Sequence, residues 1–400
     1  MQFAGRVLAL TGLCLVLSAP SAAYEEGVGH SVTSPCFSPD GSKIVFASDH
    51  ASEDGIYTID IYRINVDGTG LTRLTDGLAR YSNPVWSPDG SWIAYDKRDS
   101  EGAYVMLMDP NGSNQRALTG DKYGNFEPAW LPDSSGLVVA TNRNRNCDLI
   151  LVTVTGEEVR YIAASPRSES AASCSPDGIW VAYEVIDESA GKDADKIQIN
   201  IWKRRLADIT IPAAQLTSGQ PGQWDEHPRY SPDGSKILFE SDRADRSTPE
   251  IWTMNADGSN AAQVPIDPSG AFWASDPTWS PDGSRIAFVR SSTEGSSDVI
   301  ISDIWSVKLD GTELTQVTHT IATPAFDPDE GTYTGPQTVT ITCATPGATI
   351  RYTTDGTEPT ESSTVYTEPV TVSQSLTLKA KAWKTDWFPS IVKRAEYVIE

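Results

Sequence analysis

The chain holds four histidines, His30, His50, His227 and His319, and no two stand at a spacing that places both on one metal ion. No Gly-x-Ser-x-Gly occurs, so the nucleophile elbow of a serine hydrolase is missing. The acidic run Asp187-Glu188-Ser189-Ala190-Gly191-Lys192-Asp193-Ala194-Asp195 departs from the spacing of a calcium-binding loop and reads as a solvated insertion. The residues with the best chemical prospects recur at one position, directly before a proline: Ser34, Asn83, Glu127, His227 and Asp276, with Ala171 at the matching place in a divergent copy. Trp224 and Trp273 stand three residues ahead of two of them. Acids, an imidazole and indoles gathered at one mouth suit the binding of a peptide or a sugar. No catalytic residue, metal or cofactor is predicted.

Those prolines belong to a repeat that must position them. Ser-Pro-Asp-Gly occurs at Ser38–Gly41, Ser87–Gly90, Ser175–Gly178, Ser231–Gly234 and Ser280–Gly283, and a degenerate copy, Leu131-Pro132-Asp133-Ser134, fills the gap. Successive copies are 49, 44, 44, 56 and 49 residues apart. Each is a type I turn, with proline presetting φ at the second position and glycine closing at the fourth. A strand ending in a large side chain precedes most copies (Phe37, Trp86, Trp130, Tyr230, Trp279), and an apolar strand such as Ile93-Ala94-Tyr95 follows. A third strand and a glycine turn then lead to a short fourth strand. One such unit cannot bury both faces of its sheet, whereas a closed ring of units can. The reading is all-β: a six-bladed β-propeller over residues 31–318, with the pre-proline residues at the mouth of its central channel.

Residues 1–23 read as a signal peptide, with Arg6, an apolar stretch over Val7–Leu17 and Ser21-Ala22-Ala23 before the cut. The expected location is the periplasm, the cell surface or the medium, without membrane insertion and as a monomer. The formal charge is −23, about −24 once the signal is removed. Such a balance argues against nucleic acid, because phosphate binding needs clustered cations. Cys36 and Cys174 fall in opposite blades and cannot bridge; with Cys147 and Cys343 they are expected to be free thiols.

From about Thr323 the chain becomes Thr-rich with period-2 apolar runs: Val339, Ile341 and Cys343, then Leu376, Leu378, Ala380 and Ala382. Residues 323–400 therefore read as a small β-sandwich. Strict alternation over the second run turns Thr377, Lys379, Lys381 and Trp383 outward. Trp383, Trp387 and Phe388 are the candidates for stacking on a sugar ring.

The repeat, as in Asn83-Pro84-Val85-Trp86-Ser87-Pro88-Asp89-Gly90-Ser91-Trp92-Ile93-Ala94-Tyr95, resembles the TolB-type, WD40-like propeller repeat in all six units. The tail, through Pro346-Gly347-Ala348-Thr349-Ile350-Arg351-Tyr352-Thr353-Thr354-Asp355-Gly356-Thr357-Glu358-Pro359 and Leu378-Lys379-Ala380-Lys381-Ala382, looks like the chitobiase/β-hexosaminidase C-terminal domain, an immunoglobulin-like accessory module. Sialidase propellers carry Ser-x-Asp-x-Gly, but here glycine follows aspartate directly. The resemblance implies an exported, non-enzymatic binding or scaffold protein whose channel mouth takes a protein or peptide. The alternative is a carbohydrate-active protein, either a propeller polysaccharide lyase or a binder of cell-envelope polysaccharide.

Overall fold

The computed structural model of the chain describes residues 31–400 apart from 51–57, 121–122, 145, 190, 192–195, 245–248, 267–271 and 294–299. The expected signal peptide and most of the acidic loop lie outside the described residues. The chain forms two compact units, the first ending at Val317 and the second spanning Thr318–Glu400. Among the described residues no helix is long and apolar enough to cross a membrane.

The described residues of the first unit form six four-stranded antiparallel sheets, each a simple meander. Blade 1 is Val32–Phe37, Lys43–Ser48, Asp60–Asn65 and Thr72–Arg73; blade 2 is Arg80–Trp86, Ile93–Arg98, Ala103–Met108 and Arg116–Ala117; blade 3 is Asn125–Trp130, Gly136–Thr141, Asp148–Thr153 and Glu158–Ala163. Blade 4 is Ser168–Cys174, Trp180–Asp187, Gln198–Arg205 and Ala214–Gln215; blade 5 is Asp225–Tyr230, Lys236–Ser241, Glu250–Asn255 and Ala262–Gln263; blade 6 is Trp273–Trp279, Arg285–Thr293, Ile300–Lys308 and Thr315–Gln316. The apolar clusters lie between blades. Trp130, Leu137 and Val139 of blade 3 pack with Ala94 and Leu107 of blade 2, and Trp279, Ile286 and Phe288 of blade 6 pack with Leu238 and Ile251 of blade 5. The aromatic before the turn is the wedge: Trp130 Nε1 donates to Val85 O at 3.2 Å, and Trp279 Nε1 to Arg229 O at 3.1 Å.

The turns close the ring. A Cβ on Gly90 would meet Pro39 at 3.9 Å, one on Gly178 Pro132 at 3.4 Å, one on Gly234 Pro176 at 3.1 Å, one on Gly283 Pro232 at 3.8 Å and one on Gly41 Pro281 at 3.7 Å. Blade 6 thus meets blade 1 as the others meet their neighbours. In each full tetrad the aspartate accepts from the serine hydroxyl, as Asp40 Oδ1 does from Ser38 Oγ at 2.6 Å, and also from the backbone two residues on. Glycine is needed at the fourth position because φ there lies between 68° and 74°.

The second unit pairs a three-stranded sheet with a five-stranded one, around Val339, Ile341, Val372, Leu378, Ala380 and Tyr397. Its long strand Leu376–Trp383 buries Leu378, Ala380 and Ala382, as alternation requires. Lys379 departs from the expected outward exposure: it is buried because Glu358 covers its ammonium in an ion pair. Cys36, Cys174 and Cys343 are free thiols, as expected.

Candidate functional site

In all six blades the first strand slips register against the second at one place, the pre-proline residue or, in blade 4, Ala171, which Ala172 follows. There the backbone is left-handed, with φ of 53° at Ser34, 49° at Asn83, 53° at Glu127, 47° at Ala171, 51° at His227 and 51° at Asp276. A side chain in this region costs about 1–2 kcal/mol, and the bulge takes the residue's N–H out of the ladder. A buried amide needs another acceptor.

The neighbouring blade supplies it. Asp96 accepts the Glu127 N–H at 3.0 and 3.1 Å on its two oxygens, Glu127 accepts that of Ala171 at 2.8 Å, and Glu184 that of His227 at 2.9 Å. Glu240 accepts the Asp276 N–H at 2.7 Å, and Asp276 accepts that of Ser34. Between blades 1 and 2, Ser34 Oγ donates to Asn83 Oδ1 at 2.9 Å. A hydrogen-bonded girdle therefore runs round the channel through every blade.

The acids come from two places. Blades 2, 4 and 5 carry Asp96, Glu184 and Glu240 as the fourth residue of the common second-strand pattern, where blades 1, 3 and 6 carry Ala47, Ala140 and Val289. In blades 3 and 6 the bulge residue itself is the acid, Glu127 or Asp276. Sequence reasoning found Glu127 and Asp276 and missed Asp96, Glu184 and Glu240. The available signal was an acid at the fourth place of an otherwise apolar strand.

All six bulge residues border one cavity of about 180 Å³, which brings Asn83, Glu127, His227 and Asp276 together. Arg229 also borders it, its Nη1 donating to Pro228 O at 3.1 Å. Burial and the nearby Glu184 carboxylate push Glu127 up to about 7. Burial and Glu240 also raise Asp276, against the pull of His227. Burial opposes protonation of His227, but Glu240, Glu184 and Asp276 outweigh it and hold the imidazole well above its usual range. Glu226, buried beside His227, is driven up by desolvation and by Glu184. At the cavity the acids Glu127 and Asp276 stand beside the cations His227 and Arg229, and Asp96, Glu184, Glu226 and Glu240 are buried near the bulge residues without bordering it.

The two indoles do not share this wall. Trp224 is 6% exposed, packs with Ile186, Ile197 and Ile199, and donates Nε1 to Ile197 O at 3.3 Å. Trp273 is half-buried at the start of its strand, opposite Ser291. Neither borders the cavity, which corrects their expected place: Trp224 is taken up by the preceding blade, through Ile186, Ile197 and Ile199, and Trp273 begins the first strand of blade 6. In the second unit Trp383 is half-buried, with Lys381 Nζ 5.9 Å from its ring centroid. Trp387 stacks on His319 at 4.4 Å and has Lys384 Nζ 3.9 Å from its centroid. Phe388 is 2% exposed, so its expected role in stacking is corrected: its ring has no free face.

Residues 25–200 match the TolB β-propeller domain, and residues 328–393 match the chitobiase/β-hexosaminidase C-terminal domain. The uncharacterized peptidase YuxL of Bacillus subtilis is 24% identical over 191 residues, 38% of this chain and 29% of that protein. The uncharacterized protein Atu1656 of Agrobacterium fabrum is 26% identical over 237 residues, 56% of this chain and 73% of that one. TolB from Acinetobacter baumannii aligns with a TM-score of 0.51 at 16% identity, over 72% of this chain and 63% of that structure, a likeness of fold. The chain spans less than a third of the peptidase.

Proposed function

Because the chain carries a TolB-type β-propeller followed by a domain of the chitobiase C-terminal type, we propose that it is an exported, non-enzymatic binding protein whose channel takes a protein or peptide segment through a cationic group. The observation that carries this reading is the cavity wall. The bulge residue of every blade borders it, and Glu127 and Asp276 stand there with one structural hydrogen bond each to a neighbouring amide. A carboxylate has two oxygens and about four acceptor sites, so each retains capacity for an ammonium or guanidinium. The cavity is small, so a chain end or one basic side chain enters while the rest of the partner lies outside. The formal charge of about −24 without the signal favours encounter with such a partner.

Calorimetry in the presence of a chelator tests this, with short peptides that differ only at the N-terminus (free or acetylated) and in one Lys or Arg. Binding should require a positive group and fall at least about tenfold in Glu127→Gln, a loss of about 1.4 kcal/mol. Equal affinity for the neutral peptides would refute the cationic reading.

A further inference from the structure

His227, Glu240 and Asp276 converge between blades 5 and 6. One donor atom from each lies within 4.8 Å of the others. His227 Nδ1 is 2.9 Å from Glu240 Oε1, and its Nε2 is 4.0 Å from Glu184 Oε1. Three carboxylates thus meet at one imidazole. Even with that imidazole protonated, the group carries a net negative charge; Glu184 is 2% and Glu240 5% exposed, and His227 and Asp276 are half-buried at the cavity. Concentrated buried negative charge is stable only when a cation or proton balances it. The backbone clasps use the Asp276 and His227 amides as donors, and leave lone pairs on each acid.

We propose that His227, Glu240 and Asp276 bind one divalent transition-metal ion of the zinc class. An imidazole nitrogen with two carboxylate oxygens is a donor set for zinc and its neighbours, whereas calcium and magnesium prefer oxygen alone. Ligand atoms at about 2.0–2.2 Å from zinc stand roughly 3.4 Å apart across a tetrahedron, so a closing movement of about an ångström completes the site. Three protein ligands leave a fourth position open. His227 and Asp276 both border the cavity, so that position faces it. The proposal is independent of the peptide reading, because the metal is measured without peptide and the peptide with chelator.

The test is a zinc titration of the full chain after chelator stripping, read by calorimetry and by competition with a chromogenic chelator. One zinc per chain is expected. His227→Asn and Asp276→Asn should each weaken binding by at least about a hundredfold, the upper range for losing even an outer partner of a metal site. Both replacements suit the backbone: blade 2 holds Asn83 at the same left-handed position. Circular dichroism and the melting temperature check that they fold. His50→Ala and His319→Ala should leave the zinc stoichiometry unchanged. Absence of zinc binding in the wild type, or equal binding in folded His227→Asn, would overturn the proposal; so would calcium bound in preference to zinc.

Discussion

Removing Asp96 is the most direct way to weigh the girdle. Asp96 is 6% exposed, lies 3.0 and 3.1 Å from the Glu127 amide and accepts Asn83 Nδ2 at 2.8 Å. Asp96→Ala leaves the Glu127 N–H without its acceptor at a residue already held at φ 53°. An unsatisfied buried donor costs about 1–3 kcal/mol. The half-buried Asn83 amide recovers part of its bond from water, so its share is at the low end. Against this, burial holds the Asp96 carboxyl well above the usual carboxylate range, so its removal returns some desolvation energy. The net expectation is a loss of about 2–3 kcal/mol. A unit of this size shifts by roughly 2 °C per kcal/mol, so the tryptophan-monitored melting midpoint should fall by roughly 4–6 °C. Asp96→Asn keeps one acceptor oxygen and should lose less than half as much. A midpoint for Asp96→Ala within about 1 °C of wild type would refute the girdle as a source of stability.

Three further outcomes follow from the same geometry. Moving the acid within blade 3, as Glu127→Ala with Ala140→Glu, recreates the arrangement of blades 4 and 5. The double variant should recover at least half of the stability that Glu127→Ala loses in urea, and additivity of the two changes would contradict the equivalence of the sites. Burial pushes Glu127 and Glu169 up to about 7 from 4.5. In that window the folded state binds more protons than the unfolded, so stability should fall as pH rises from about 4.5 to 7. Hydrogen bonds from serine hydroxyls and backbone amides hold Asp40, Asp233 and Asp282 at about 2, so stability should also fall as pH drops below 3.8. The melting temperature should therefore peak near pH 4–5, and a maximum at pH 8 would contradict both signs. In the sandwich, Phe388 is buried and Trp387 is engaged by His319 and Lys384, so any glycan stacking rests on Trp383. Retardation of the full chain in gels containing chitin, pectin or peptidoglycan fragments should disappear in Trp383→Ala; retardation that survives would place the contact elsewhere.

The blade count was legible because the turn chemistry is local: Ser-Pro-Asp-Gly dictates its own conformation in four residues. The pre-proline position was legible for the same reason, since a proline fixes where the first strand can pair. Its consequence was not legible. The girdle joins residues from 31 apart, as in Asp96 with Glu127, to 49 apart, as in Ser34 with Asn83, and 242 apart where Asp276 meets Ser34, and no local pattern announces such a pair. Asp96, Glu184 and Glu240 were hidden inside strands that otherwise read as apolar, Ile93-Ala94-Tyr95 and its equivalents. Trp224 went astray for a related reason. Proximity in sequence to His227 suggested a shared wall, but a large indole in an apolar surround of Ile186, Ile197 and Ile199 buries more surface there than at a wet channel.

The structural and binding roles of the channel acids support each other. A free glutamate on a channel wall samples several rotamers, and ordering it on a ligand costs side-chain entropy. Glu127 is already fixed, because one oxygen holds the Ala171 amide while its own amide is held by Asp96. Asp276 is fixed in the same way by Ser34 and Glu240. The strain of the left-handed backbone is then more than a cost of ring closure, since it turns each bulge residue toward the cavity and the next blade locks it there. Blades 3 and 6, where the acid sits on the bulge itself, present a carboxylate to the cavity. Blades 2 and 4 keep their acid on the second strand and present Asn83 and Ala171 instead. Which strand of a blade carries its acid therefore sets the charge of the channel wall without disturbing the girdle, and a change from one arrangement to the other alters the ligand while leaving the fold intact.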